Sequence, residues 1–267
     1  MRIFIQHITT LIYDSPISEA HTEVRQRPLD TGGQRCLSFH LEVRPERANV
    51  LSFVDHFNNT VHYFDWLQPH DRVVITANSE VLTPATFTDT CTDLSPLERF
   101  DYLAPTAYAP RDEMICAFAA PHIAGSPYET AMALMQAIYR NIQYERGATH
   151  VKTTADEVIQ LRRGVCQDFA HLFIAACRCQ GIPARYVSGY LYDPKFFGTE
   201  VATHAWADVF IAGHGWISLD PTHNCMQDER YVRVAVGRDY ADTPPTRGVF
   251  KGNARETLEV RVSIRSA

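Results

Sequence analysis

Three side chains in this 267-residue chain have the types and spacing needed to build a nucleophile. Cys166 lies in Leu161-Arg162-Arg163-Gly164-Val165-Cys166-Gln167-Asp168-Phe169-Ala170-His171, where a glycine-ended segment turns into an apolar-striped helix. The first turn of a helix carries free N–H groups and the positive end of the dipole, surroundings that favour a thiol in its anionic, nucleophilic form. His204 follows in Thr203-His204-Ala205-Trp206, and Asp220 in Gly215-Trp216-Ile217-Ser218-Leu219-Asp220-Pro221-Thr222. A thiol is mostly protonated at neutral pH, so an imidazole has to take its proton. A carboxylate then has to hold that imidazole in one tautomer and balance its positive charge. The same helix start offers backbone N–H groups to the oxyanion of a tetrahedral intermediate, which makes acyl transfer from an amide or ester the natural reaction.

The elements that must position these groups follow from the period of the apolar residues. Before residue 85 the period is two, as in Ile3, Ile5 and His7, then Phe39, Leu41 and Val43, then Val73 and Ile75, with turn signals at Pro28, Gly32-Gly33, Pro45 and Asn58-Asn59. That pattern predicts an all-β N-terminal domain over 1–85, a small antiparallel sandwich or barrel, with a hairpin turn at Asn58-Asn59. Residues 86–110, with Pro96, Pro105 and Pro110, read as a connecting segment with one short helical turn. From 111 to 267 the period changes. Ser126-Pro127-Tyr128-Glu129 is a capping box with proline at the first helical position, and Ala131, Leu134, Met135 and Ile138 mark one helical face. A second helix opens at Thr154 and stops at Gly164, and a third runs from Cys166 to near Gly181 with Phe169, Leu172, Phe173 and Ala176 on its buried stripe. Strands are predicted over 185–192, 203–211, 215–219, 231–236 and 258–264. Helices followed by an antiparallel sheet give an α+β catalytic domain of papain-like type.

His204 opens one strand and Asp220 closes the next, across the turn at Gly213-His214-Gly215, so both lie at the same open end of a hairpin, with the Cys166 helix expected to pack across it. Each residue also has a plainer reading. Taken singly, Cys166 fits a buried cysteine, His204 a core histidine and Asp220 a turn residue before Pro221; the combination reverses those odds. His171 is about 7.5 Å along the helix axis from Cys166, too far to be its base, and is expected to pack or hydrogen-bond. Gln167 and Trp206 are candidate walls of a substrate cleft, with core packing the plainer role for Trp206. Asp168 and Asp239 need no more than a first-turn carboxylate and a loop charge to explain them.

Composition excludes several classes. With 45% hydrophobic and 21% charged residues, the chain can bury a sizeable core. A net charge of −6 and a pI near 6.0 without long basic runs argue against nucleic acid or anionic membrane as partners. The apolar run at Met1-Arg2-Ile3-Phe4-Ile5 is too short for a signal peptide, so a cytoplasmic location is expected. Seven cysteines without framework spacing suit a reducing compartment and buried, unpaired thiols. Cys177, Cys179, His204, His214, His223 and Cys225 lack metal-ligand spacing, so no metal is expected. Nothing in the sequence sets an oligomeric state.

Three blocks together resemble the transglutaminase-like superfamily, and in particular its bacterial members designated provisionally as cysteine proteases. They are Arg163 to Leu172 continued by Gly181-Ile182-Pro183-Ala184-Arg185-Tyr186-Val187-Ser188-Gly189-Tyr190, then Thr203-His204-Ala205-Trp206, then Gly215 to Thr222. Tyr13-Asp14-Ser15-Pro16-Ile17 with Glu23-Val24-Arg25-Gln26-Arg27-Pro28 is similar to the β-rich N-terminal domain of these proteins, and Gly237-Arg238-Asp239-Tyr240 with Pro244-Pro245 to their C-terminal segment. The resemblance implies that Cys166, His204 and Asp220 occupy the family's triad positions, and that Tyr144 borders the site. It also implies an acyl-cysteine intermediate formed from a peptide or protein amide, with hydrolysis favoured over transamidation and no cofactor required. The rival reading is a peptide-binding module on the same fold without turnover.

Overall fold

The computed structural model describes residues 1–46, 49–194 and 203–267. Six strands come first: β1 (Arg2–Ile17), β2 (Glu19–Val24), β3 (Arg35–Arg44), β4 (Leu51–Val54), β5 (Thr60–Trp66) and β6 (His70–Leu82). The helices α1 (Pro96–Leu103), α2 (Glu113–Ala119) and α3 (Pro127–Asn141) follow, then the two-residue strand β7 (Gln143–Tyr144), α4 (Ala155–Leu161), the two-residue strand β8 (Arg163–Gly164) and α5 (Cys166–Cys179). The chain then returns to strands: β9 (Ala184–Leu191), β10 (His204–Ile211), β11 (Gly215–Asp220), β12 (Cys225–Met226), β13 (Tyr231–Gly237), β14 (Thr246–Lys251) and β15 (Glu256–Ser266). The class is α+β, as the change of period predicts.

Two four-stranded sheets, ordered β15-β1-β6-β3 and β14-β2-β5-β4, enclose a core of Leu11, Tyr13, Ile17, Val24, Phe64, Trp66, Val73 and Ile75. The period-two stretches supply these residues from alternate positions, which is what one buried face of a pleated strand requires. The strand predicted over 258–264 exists, but it does not join the sheet that follows the helices. It pairs antiparallel with β1, Ile5 opposite Ile264 and His7 opposite Val262. Val262 and Ile264 pack with Ile3 and Ile5 against Tyr190, Val232 and Val234, and this cluster joins the first sheet to the third. The alternation of β15 announces a strand and is silent about its partner.

Asn58-Asn59 does lie between β4 and β5, but the turn is longer than two residues. Asp55 Oδ1 accepts from the N–H groups of Phe57 and Asn59, and the buried Asn59 amide clamps both the N–H and the carbonyl of Val236 on β13. The connecting segment contains a full eight-residue helix, α1. Its Ser95-Pro96-Leu97-Glu98 start is the same capping box that announces α3, with Ser95 and Glu98 satisfying each other's backbone N–H groups.

The third sheet, ordered β12-β11-β10-β9-β13, is antiparallel throughout, and α5 packs across it within a shell formed by α2, α3 and α4. From Asp168 to Arg178 every residue of α5 is buried. A helix this enclosed is fixed by its neighbours on every side, which suits an element whose first residue must be held in register with a sheet. Cys116 on α2 and Cys179 at the end of α5 form a disulfide. This corrects the expectation of unpaired cysteines: the two are 63 residues apart, and only the packing of α2 on α5 brings their Cα atoms to 5.4 Å.

Candidate active site

The start of α5 is built by residues the sequence treated as ordinary. Asp168 is buried, and its Oδ2 accepts from the Val165 N–H at 2.7 Å and from the Thr149 hydroxyl at 2.6 Å. Burial pushes this carboxyl above its ordinary range, and the Thr149 and Val165 hydrogen bonds pull the other way. Gly164 makes room for it, since a Cβ there would lie 2.7 Å from the Asp168 side chain. The parallel pairing of Tyr144 with Gly164 adds a second tie just before Cys166. Cys166 is thus held at a braced helix start, partly exposed.

Across the cleft, β10 and β11 pair with Ala207 opposite Leu219. Continuing that register puts Asp220 opposite Trp206 and diagonal to His204, on one face of the sheet. His204 Nε2 donates to Asp220 Oδ2 at 2.8 Å. Asp220 is fully buried and His204 is 8% exposed. Burial alone would lower the imidazole pKa, but the Asp220 charge and hydrogen bond, joined by the Cys166 sulfur, outweigh it and raise the value well above the ordinary one. For Asp220 the balance is mirrored: burial opposes ionisation, and His204 and His223 hold the carboxyl well below the usual range. With Nε2 committed to Asp220, Nδ1 is the nitrogen left to His204 for a proton from Cys166.

A cleft of about 500 Å³ contains Cys166 and His204 together, and Tyr144, Arg146, Gln167, Tyr186, Ser188, His223 and Tyr240 also line it. Tyr144 and Gln167 both line this cleft, and Gln167 is oriented by donating from Nε2 to the Val151 carbonyl. Trp206 does not. It is fully buried, stacked behind His204 with ring centroids 5.9 Å apart, and its indole N–H donates to Ser218 Oγ. The alternation that places Trp206 on the face of His204 is right; sheet depth then puts it under the imidazole instead of in the cleft. Gly189 permits this, because a Cβ there would meet Trp206 at 2.7 Å and the Val232 carbonyl oxygen at 2.1 Å. His171 lies outside the cleft, fully buried, its Nε2 accepting from the Tyr240 N–H and its ring stacked on Tyr108. Asp239 holds the turn that carries Tyr240, accepting from the Ala241 N–H.

Two residues beside Asp220 were given no place there by the sequence: His223, considered only as a metal ligand, and Tyr231. His223 Nδ1 reaches Asp220 Oδ2 at 2.8 Å, and the Tyr231 hydroxyl donates to the same oxygen at 2.8 Å. His223 had a signal: in Asp220-Pro221-Thr222-His223 the Asp220 Oδ1 accepts from the N–H groups of Thr222 and His223, a tight turn that folds the imidazole back over the carboxylate. Tyr231 had none, because β13 reaches the site only through the sheet. His204, Asp220 and His223 also set three ligand-type atoms within 4.8 Å of one another. A divalent cation there would have to replace both imidazole–carboxylate hydrogen bonds, so the same atoms serve either a metal or a hydrogen-bonded relay, not both at once.

Comparison with known proteins places this architecture. Residues 118–221 match the transglutaminase-like superfamily, and residues 3–82 match the bacterial transglutaminase-like N-terminal region. The chain belongs to the transglutaminase-like superfamily. It is 33% identical over 277 residues to an uncharacterized protein of Mycobacterium leprae, covering 98% of both chains. The crystal structure of a protein from Cytophaga hutchinsonii, designated provisionally as a cysteine protease, superposes with a TM-score of 0.75 at 26% identity, covering 100% of this chain and 93% of that one. A protein-glutamine gamma-glutamyltransferase of Pseudomonas aeruginosa is 30% identical over 158 residues, which are 52% of this chain and 22% of that protein.

Proposed function

We propose that the chain is a thiol enzyme that transfers the acyl group of a peptide or protein amide through an acyl-cysteine intermediate. Cys166 gives its proton to Nδ1 of His204 and its sulfur bonds to the acyl carbon. The carbon–nitrogen bond then breaks as His204 returns the proton to the leaving amine. Asp220 keeps His204 in the tautomer that leaves Nδ1 free and stabilises the imidazolium while it exists. The observation that carries this reading is the buried His204–Asp220 hydrogen bond opening onto the same cleft as the helix-start thiol. Water as acceptor completes hydrolysis, and a primary amine completes transamidation. Hydrolysis is favoured because the structurally similar Cytophaga hutchinsonii protein aligned over the full chain carries a protease designation, whereas the glutamyltransferase shares only part of its length.

The test is intact-mass spectrometry of the protein incubated with the activated ester p-nitrophenyl acetate. An added acetyl group mapped to Cys166, and absent from Cys166→Ala, is the expected result; an unmodified Cys166 overturns the reading. Peptide amides offered with and without a primary amine then separate hydrolysis from transamidation by the product formed.

A further inference from the structure

The cleft holds a second imidazole on the same carboxylate. Asp220 Oδ2 accepts from His204 Nε2, from His223 Nδ1 and from the Tyr231 hydroxyl, while Oδ1 accepts two backbone N–H groups. A carboxylate surrounded by donors on both oxygens is acceptor only, so each ring nitrogen facing it carries the hydrogen. The two rings are thereby fixed in opposite tautomers. When neutral, His204 has its lone pair on Nδ1 and His223 has its lone pair on Nε2. Their centroids are 5.1 Å apart and both line the cleft, but their access to water differs sharply: the His204 side chain is 8% exposed and that of His223 is 49% exposed.

Resting on the acyl-cysteine reading above, we propose that His223 is the base for the incoming acyl acceptor, so that one buried carboxylate orients two imidazoles for the two half-reactions. In the first, His204 takes the proton of Cys166 and passes it to the leaving amine. In the second, His223 Nε2 takes a proton from water or a primary amine as its oxygen or nitrogen bonds to the acyl carbon. The carbon–sulfur bond breaks, and its electron pair returns to the Cys166 sulfur. The proton on His223 passes through the cleft solvent to His204 and from its Nδ1 to the Cys166 sulfur, which restores the starting state. The division follows from exposure. A base for a solvent-borne acceptor must meet solvent, and the ring paired with the nucleophile is the one shielded from it.

His223→Asn tests the assignment, because asparagine keeps an N–H donor for Asp220 and removes the basic lone pair. With p-nitrophenyl acetate as probe, rapid mixing reads acylation as the initial burst of p-nitrophenol and deacylation as the steady rate that follows, and intact mass reads acetyl group retained on Cys166. In His223→Asn the steady rate is expected to fall tenfold or more while the burst rate changes less than about twofold, with acetyl-enzyme accumulating. In His223→Ala, added imidazole is expected to restore deacylation. Equal losses in burst and steady rate would make His223 a support for Asp220 and overturn the proposal, as would a steady rate unchanged in both variants. No acetyl group on Cys166 in any form of the protein would instead defeat the acyl-cysteine reading, and this one with it; an acetyl group on Cys166 that leaves at the wild-type rate defeats the role of His223 alone.

Discussion

At the scale of single residues, the site works as a unit only if its members are worth little apart. Cys166→Ala is expected to abolish acylation. His204→Ala is expected to leave a thiol without its proton acceptor, and Asp220→Asn to keep shape while losing the charge that orients two imidazoles. The latter two losses should be about 10²- to 10⁴-fold in the acylation rate. They should not add: Cys166→Ala/His204→Ala is expected to be no worse than Cys166→Ala, and a further multiplicative loss measured on a confirmed substrate would argue against one shared mechanism. The thiols give a second check. Five cysteines are free, with Cys177 fully buried among them, and Cys116 and Cys179 are bonded. Protein isolated in the presence of an alkylating agent and then unfolded should therefore yield five alkylated cysteines, with Cys166 the fastest in the native state and Cys177 the slowest. Seven would mean that the protein had been kept in the reducing surroundings the cysteine spacing suggested.

At the scale of elements, the position of Cys166, the proposed nucleophile, depends on how α5 begins. Thr149 and the Val165 N–H share one carboxylate oxygen of Asp168, and that brace ties the 147–154 segment to the first turn of the helix. Thr149→Val preserves the volume and removes the donor from a buried acceptor, a loss of about 1–3 kcal/mol. Denaturant unfolding should show that cost, and alkylation of Cys166 should slow in parallel if the brace also sets the thiol's position. Loss of stability with unchanged Cys166 reactivity would confine Asp168 to a structural role. At the other end of α5 the Cys116–Cys179 bond closes a loop of 63 residues, worth about 4 kcal/mol on the chain-entropy account.

For the whole molecule, two buried histidines that do not line the cleft set its response to acid. His7 on β1 bonds the Tyr190 hydroxyl on β9 and so pins the first sheet to the third, and burial lowers its pKa to about 4. His171 is lowered to about 3 by burial and by the neighbouring Arg178 charge. Both bind protons more weakly in the folded than in the unfolded chain, whose rings titrate near 6.5. Their stabilising contribution is therefore full above 6.5 and is lost as pH falls toward 4 and then 3, by about 1.4 kcal/mol per pH unit for each ring. His204 has the opposite sign, raised to about 10, so its contribution is full below 6.5 and is lost as pH rises toward that value. Guanidinium unfolding across pH 4.5 to 9 should thus peak near 6 to 7. His7→Gln should flatten the acid limb; a limb unchanged in that variant would assign the acid loss to other groups.

The sequence by itself determined what depends on local pattern. Period two gave the strands, a capping box gave the start of α3, and Cys166 at a helix start with His204 and Asp220 at the ends of adjacent strands carried the reading of the site proposed above. The turn after Asp220 was just as local, and His223 was readable there, as was the capping box of α1. Tertiary structure alone decided which strand β15 would join, because alternation specifies a face and not a neighbour. It also paired Cys116 with Cys179, brought the Tyr231 hydroxyl onto Asp220 from β13, and sank Trp206 beneath His204. Each of these is a contact between elements far apart in the chain, fixed by how sheets and helices stack, and no spacing within one segment encodes it.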